Sequence, residues 1–342
     1  MLKTAENVTM GHPDKVCDQI SDAILDACLN QDKNSRVAVE TMGGHGKLFI
    51  LGEVSTKANI DEASIARKLY QEIGYDDDLD IQVKIVKQSP DIAQGVDTGG
   101  AGDQGIIVGY ATQETPELLP VEHVLATKLV RQLEVVRQSR NFILSKYLLP
   151  DGKAQVTLNG KEVETVVLST QHRDSINLEE LRYLVLKEII KPVISNYKKV
   201  LINPAGSWHL GGFNADTGLT GRKITADNYG PQIPVGGGCF SGKDPSKVDR
   251  SAAYMARFLA VEYLKNLNAK EVLVKLAYAI GKKEPVMATA EVDGQILEIR
   301  GIDLSPRAII SFLRLQEPQY KLRARYGFFQ DFNLTNNLDL LS

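Results

Sequence analysis

The sequence predicts an α+β fold in three units, and three observations support this. An amphipathic helix and a β-hairpin recur in each third of the chain. Glycine-rich stretches at 95–109 and 211–242 fall between those segments. At 342 residues the chain also exceeds one typical core, which suggests two or three domains. No sequence identity links the thirds, so their kinship rests on this pattern alone.

In the first unit, Pro13 suits a first helical turn, and Val16, Ile20, Ile24 and Ala27 recur at helical spacing, predicting a helix over 13–30. Asp14, Asp18, Asp22 and Asp26 share another face. Most of that stripe reads as a solvated acidic surface, and Asp14 stands apart beside His12 and Lys15. Strands at 36–42 and 47–55 flank a Gly43-Gly44-His45-Gly46 turn. A helix over 62–73 places Ile65, Leu69 and Ile73 on one face and stops at Gly74. Alternating Ile81, Val83 and Ile85 predict a half-buried strand.

The second unit opens with a buried strand at 105–111 and a long helix at 121–138. Strands at 154–158 and 163–169 flank Asn159-Gly160, a strong hairpin signal. Asn177 can cap a helix that runs to about residue 190 and ends by Pro192, and a strand follows at 200–202. The third unit has loops to 242, a helix at 247–264, strands at 272–279 and 286–292 with Asp293-Gly294 as a second hairpin turn, and a helix at 306–313.

Forty basic residues oppose forty-three acidic ones, for a net charge of -3, which disfavours a general nucleic-acid or anionic-membrane partner. Small anions remain compatible, because they need only a local basic pocket. Cys17, Cys28 and Cys239 are too few and too scattered for a disulfide framework. The first residues lack the apolar core of a signal peptide, and no apolar run is long enough to span a membrane, so a cytoplasmic location is expected.

Gly237 and Gly242-Lys243 have P-loop spacing, but Asp244 replaces the magnesium-binding hydroxyl and no strand precedes, so that motif fails. Lys243 and Lys247 can still face a polyanion near a helix N-terminus. Asp14 and Asp249 suit either a magnesium ion or a helix cap, and spacing does not choose between them. Glu40 and Glu53 lie in consecutive strands. They would hold a cation or an ammonium if both face a cleft, and are otherwise exposed strand residues. No histidine pair has the i, i+4 spacing of a helical metal site. His45 reads as a turn residue and His123 as structural. His12 is the informative one, beside the start of a helix.

Taken together, Gly11-His12-Pro13-Asp14-Lys15, Lys87-Gln88-Ser89-Pro90-Asp91-Ile92, Gly102-Asp103-Gln104-Gly105, Ser169-Thr170-Gln171-His172, GLTGRK at 218–223 and GGGCFSGKDPSKVDRSAAY at 236–254 resemble the S-adenosylmethionine synthetase family. The resemblance keeps family order over nearly the whole chain. It implies three α+β domains related by pseudo-threefold symmetry, near 1–98, 99–208 and 209–342, with terminal segments that can interleave. It also implies a homodimer, or a dimer of dimers, with active sites between subunits. The implied reaction joins ATP and methionine and then hydrolyses the triphosphate to phosphate and diphosphate.

By the same resemblance, His12 assists departure of the triphosphate, and Lys153, Arg222, Lys223 and Lys243 are ATP-site cations. Asp151, Ser207, Cys239 and Asp216 also fall at the ATP site, and Trp208 at the adenine-stacking position. Lys247 falls near methionine and phosphate. Glu53, Gln88, Asp103 and Asp216 correspond to methionine-binding positions, Asp14 and Asp249 to ligands of two Mg2+ ions, and Glu40 to a K+ ligand. The sequence departs from the family at Ser207, where a basic residue is usual, and at Cys239, where alanine is usual. It departs also in a short 96–102 stretch and in Arg325-Tyr326-Gly327-Phe328-Phe329. Two other readings fit less well: a regulatory paralogue without activity, and a different ATP-dependent transferase.

Overall fold

The structure is a computed structural model that describes residues 1–87 and 99–330. Its strands are β1 (Leu2–Val8), β2 (Arg36–Gly44), β3 (Lys47–Ser55), β4 (Asp80–Val86), β5 (Gly105–Thr112) and β6 (Leu148–Asn159). They continue with β7 (Glu162–His172), β8 (Lys199–Ile202), β9 (Gly218–Leu219), β10 (Glu271–Tyr278), β11 (Met287–Val292) and β12 (Gln295–Glu298). The main helices are α1 (Pro13–Gln31), α2 (Glu62–Ile73), α3 (Val121–Gln138), α4 (Leu178–Val185), α5 (Val248–Asn266) and α6 (Pro306–Phe312).

Among the described residues the strands form three four-stranded sheets, ordered β4-β3-β2-β9, β1-β6-β7-β8 and β12-β11-β10-β5. Each sheet takes one edge strand from another part of the chain. β1 lies antiparallel to β6, β5 to β10, and β9 to β2. The first, second and third segments thus each lend a strand to a neighbour in a closed cycle. The third sheet differs at its far edge, where β12 is antiparallel to β11, whereas β4 and β8 run parallel to β3 and β7.

Among the described residues there are two hydrophobic cores. One joins the first and third segments through α1, α2, α5 and the strands beneath them, and the other lies under α3, α4, β6 and β7. In α1, Val16, Ile20 and Ile24 are fully buried, and burial of this kind stabilises by about 1.5–3 kcal/mol per side chain. The predicted stop at Gly74 is a left-handed cap with φ +114, a conformation in which glycine carries no steric penalty.

The predicted helices and hairpins are present, most with ends shifted by a residue or two, but the strand predicted at 154–158 begins at Leu148 and the one predicted at 163–169 runs on to His172. The 159–160 turn lies one residue later, because Asn159 pairs with Glu162 and leaves Gly160 and Lys161 as the loop. The helix after Asn177 passes through a π turn at Leu186–Ile190 before Pro192. β1 and β12 lack a periodic signal strong enough to predict them. Among the described residues, no helix is long and apolar enough to cross a membrane.

The acidic stripe of α1 corrects the sequence reading. Asp14, Asp18 and Asp22 are buried and Asp26 is half-buried, and the third segment covers all four. Asp14 accepts from Leu219 N, Asp18 from Gly221 N and Asp22 from Gly242 N. Asp26 accepts from the backbone of Gln319, Tyr320 and Lys321. The stripe is a seam that docks the third segment onto the first. Its carboxylates satisfy backbone N–H groups that would otherwise be buried unpaired.

Candidate active site

One group of predicted residues gathers where the start of α1 meets the chain after β9. His12 is the N-cap of α1, and its Nδ1 accepts from Asp14 N at 3.2 Å. Asp14 lies in the first turn and is not itself the cap. Its carboxylate accepts from Leu219 N at 3.0 Å and Lys223 Nζ at 2.5 Å, and forms an ion pair with Arg222, whose Nε lies 3.0 Å away. Burial would raise the Asp14 carboxyl pKa, but Lys223 and the Leu219 N–H outweigh burial and hold it low.

Burial, followed by the charges of Lys223 and Lys153, pushes His12 down to about 3. The imidazole is therefore neutral at pH 7. Its Nδ1 lone pair faces the Asp14 N–H, so the proton sits on Nε2. His12 offers one hydrogen-bond donor and no positive charge.

Asp151 and Lys153 project from β6 beside this group. Asp151 is buried; one carboxylate oxygen accepts from Gly212 N at 2.9 Å, and the other has no hydrogen-bond partner among the described residues. Burial, with the charge of Asp216 adding, pushes its carboxyl up to about 7. Lys153 pairs with Glu6 at 2.8 Å. Asp216 is exposed, and its carboxylate accepts from Thr217 N. Exposed Ser207 and half-buried Trp208 lie on the connector that leads to Gly212.

A second group forms where the 237–247 loop enters α5. Lys243 Nζ meets Asp249 at 2.7 Å and Lys247 Nζ meets Asp244 at 2.5 Å. Asp244 is buried and also accepts from Val37 N and Ser246 N. Gly238 packs against the Asp249 carboxylate, where any side chain would collide with it. Gly242 has φ +79 and backs onto Val39, so the chain can pass there only as glycine.

Lys243 bridges to Ala38, which faces Glu53 across the β2–β3 hairpin, so Glu53 joins this second group. Glu40 lies on the same face of β2 and is exposed. Gly105 lies beside Asp249, with exposed Asp103 two residues earlier. Gln88 falls outside the described residues. Cys239 touches Gly221 and so stands between the two groups, and burial pushes its thiol pKa up. Among the described residues, no ion pair or hydrogen bond joins the His12 group to the Lys243 group.

Magnesium commonly takes one or two carboxylates and completes its shell with phosphate oxygens and water. Asp14 and Asp249 fit that donor chemistry, because each carboxylate is already matched to a cation that a metal could replace. No described cluster of three or more His, Cys, Asp or Glu is arranged around a metal. The donor set therefore suits metal carried in with phosphate better than a resident metal cage. Glu40 offers one exposed carboxylate to a K+ ion.

Sequence reasoning missed the residues that hold these groups. Lys15 sits buried between Asp18 at 3.1 Å and Asp227 at 2.8 Å, and Arg250 grips Asp22 with two 2.7 Å bonds. The i, i+4 spacing on α1 was their one signal. Gln171 and His172 anchor the connector that carries Trp208, and their motif alone assigned them no task.

Residues 1–94, 98–208 and 210–337 match the family models described as S-adenosylmethionine synthetase, N-terminal domain, central domain and C-terminal domain. The chain is 45% identical over 372 residues to the S-adenosylmethionine synthase of Pseudothermotoga lettingae, covering 96% of this chain and 93% of the relative. The Thermus thermophilus protein of the same name is 45% identical over 371 residues, with 96% and 93% covered. That of Tropheryma whipplei is 42% identical over 376 residues, with 96% and 94% covered.

Proposed function

The chain belongs to the S-adenosylmethionine synthetase family and is a methionine adenosyltransferase, and on that premise we propose how its residues carry the reaction. The methionine sulfur attacks ribose C5′ of ATP. A C5′–S bond forms while the C5′–O5′ bond breaks, and triphosphate leaves with the electron pair. A thioether has no proton to lose, so the step needs no base. The barrier lies in separating a sulfonium from a polyanion, which preorganised cations and donors lower.

One observation carries this reading: the chain presents two cation groups, each held in check by an acidic partner. Lys223 and Arg222 rest on Asp14, and Lys243 rests on Asp249. An arriving triphosphate takes over these cations, with Lys153 and Lys247 adding to them. His12 donates from Nε2 to the departing oxygen. Asp151 and Asp216, with Ser207, Trp208 and Cys239 nearby, frame the nucleoside, while Glu53, Asp103 and Gln88 receive methionine. Two Mg2+ ions would be held by Asp14 and Asp249 and would supply charge neutralisation at the phosphates. K+ stays a proposal at Glu40, and no step is routed through it. The triphosphate is then hydrolysed to phosphate and diphosphate.

The site is completed by a second copy of the chain, so that the His12 group of one subunit meets the Lys243 group of the other. The separation of the two groups on one chain supports this. So does the outer face of the β4-β3-β2-β9 sheet, where Met42 and Leu51 are 46% and 50% exposed around Glu40. A dimer of dimers extends the same assembly. The cyclic exchange of β1, β5 and β9 supports pseudo-threefold symmetry of domains near 1–98, 99–208 and 209–342. A cytoplasmic site of action suits the three free thiols.

The test is incubation of purified protein with ATP, methionine, magnesium and potassium, with products identified by mass spectrometry. S-adenosylmethionine, phosphate and diphosphate are expected. Accumulation of free triphosphate would overturn the hydrolytic step, and a product from another thioether alone would overturn the choice of substrate.

A further inference from the structure

The connector that carries Trp208 is held by more bonds than a surface loop needs. His172, the last residue of β7, donates its backbone N–H to Trp208 O at 2.9 Å. Trp208 N donates back to His172 Nε2 at 3.1 Å. The other ring nitrogen, Nδ1, lies 2.8 Å from Arg173 O. Only one form of the ring satisfies both neighbours: Nδ1 protonated and Nε2 bare. Gln171 extends the hold, donating to His209 O at 3.0 Å and accepting from Asp151 N at 3.3 Å. Asp151 in turn takes Gly212 N. The connector is thus fixed at Trp208, His209 and Gly212.

We propose that His172 is a positioning residue, whose neutral ring presets Trp208 to receive the adenine of ATP. The proposal rests on the reading of Trp208 as the adenine platform. A protonated His172 would set one N–H against another and break one of the two bonds that hold Trp208 to β7, leaving only the main-chain bond from His172 N to Trp208 O. The titratable groups facing the ring are His209, stacked edge-on at 4.6 Å, Arg173 next along the chain, and Asp151 on β6 beside Gln171. Burial and His209 lower the His172 pKa, against the Arg173 carbonyl, so the neutral ring prevails at pH 7.

Trp208 is the only tryptophan in the sequence, so emission of the full chain under tryptophan-selective excitation reports this connector alone. In the parent protein, emission is expected to shift to the red as pH falls below the ordinary imidazole range. His172→Ala should show the shifted emission at every pH and raise KM for ATP roughly two- to tenfold, the worth of an aromatic stack, with kcat little changed. His172→Gln places an amide oxygen where Nε2 stood. It should restore emission and KM at neutral pH and abolish the pH response. Emission indifferent to both His172 and pH would overturn the clamp. Emission that moves while ATP affinity holds would instead overturn the adenine reading of Trp208.

Discussion

His12 shows how burial decides the chemistry available to one residue. Held neutral, it keeps the same protonation state from pH 5 to 8, because its titration lies near 3. It should therefore add no inflection to the pH profile of kcat/KM in that interval, which reports the ligand-free enzyme. His12→Asn keeps a cap acceptor for Asp14 N but loses the Nε2 donor. Adenosyl transfer should slow by roughly 10²-fold while KM for ATP changes little. A purely binding defect would contradict the role. Lys243→Ala should lower the rate by roughly 10²–10³-fold, and an unchanged turnover would remove it from the site. Asp151 gives a stability test. Its folded pKa is raised to about 7, so between the usual carboxyl value and 7 the native state binds more protons than the unfolded state. Stability therefore falls as pH rises through that window. Asp151→Asn removes this titration, so its urea midpoint should gain on the parent's between pH 5 and pH 8.

At the scale of elements, α1 decides how the first and third segments meet. Asp22 and Arg250 are both fully buried, so Asp22→Ala leaves a guanidinium without its partner and should destabilise by about 3–5 kcal/mol in urea unfolding. The Arg67–Asp78 pair has the same 2.7 Å separation, yet Asp78 is 96% exposed, and its loss should be worth under about 1 kcal/mol. Equal effects for the two would contradict the seam. Helical periodicity made α1, α2, α3 and α5 legible in the sequence, and turn residues did the same for the hairpins. Periodicity also placed Asp14, Asp18, Asp22 and Asp26 on one face, but it carries no information on what covers a face. The cover comes from residues 219–242 and 319–321, some 200 to 300 positions away. The lending of β1, β5 and β9 was illegible for the same reason: strand signals do not name partners.

At the scale of the whole molecule, the near-neutral total charge conceals two separate cationic groups. The motif residues were readable one by one. Their division into a His12 group and a Lys243 group was not, because it depends on the β2–β3 hairpin bringing Ala38 and Glu53 to Lys243 and on α1 holding Asp14 beside Lys223. In the proposed reaction the two groups act on one triphosphate, and a site shared between two chains brings them together. Complementation between two inactive variants tests this most directly. Lys223→Ala and Lys243→Ala chains, differently tagged and co-expressed, give mixed dimers that can be purified by both tags. In such a dimer one site collects both defects and the other collects neither. Mixed dimers should therefore recover about half of the parental activity, while each variant alone stays impaired by roughly 10²-fold or more. Mixed dimers as inactive as either variant would contradict the shared site and return the whole reaction to a single chain.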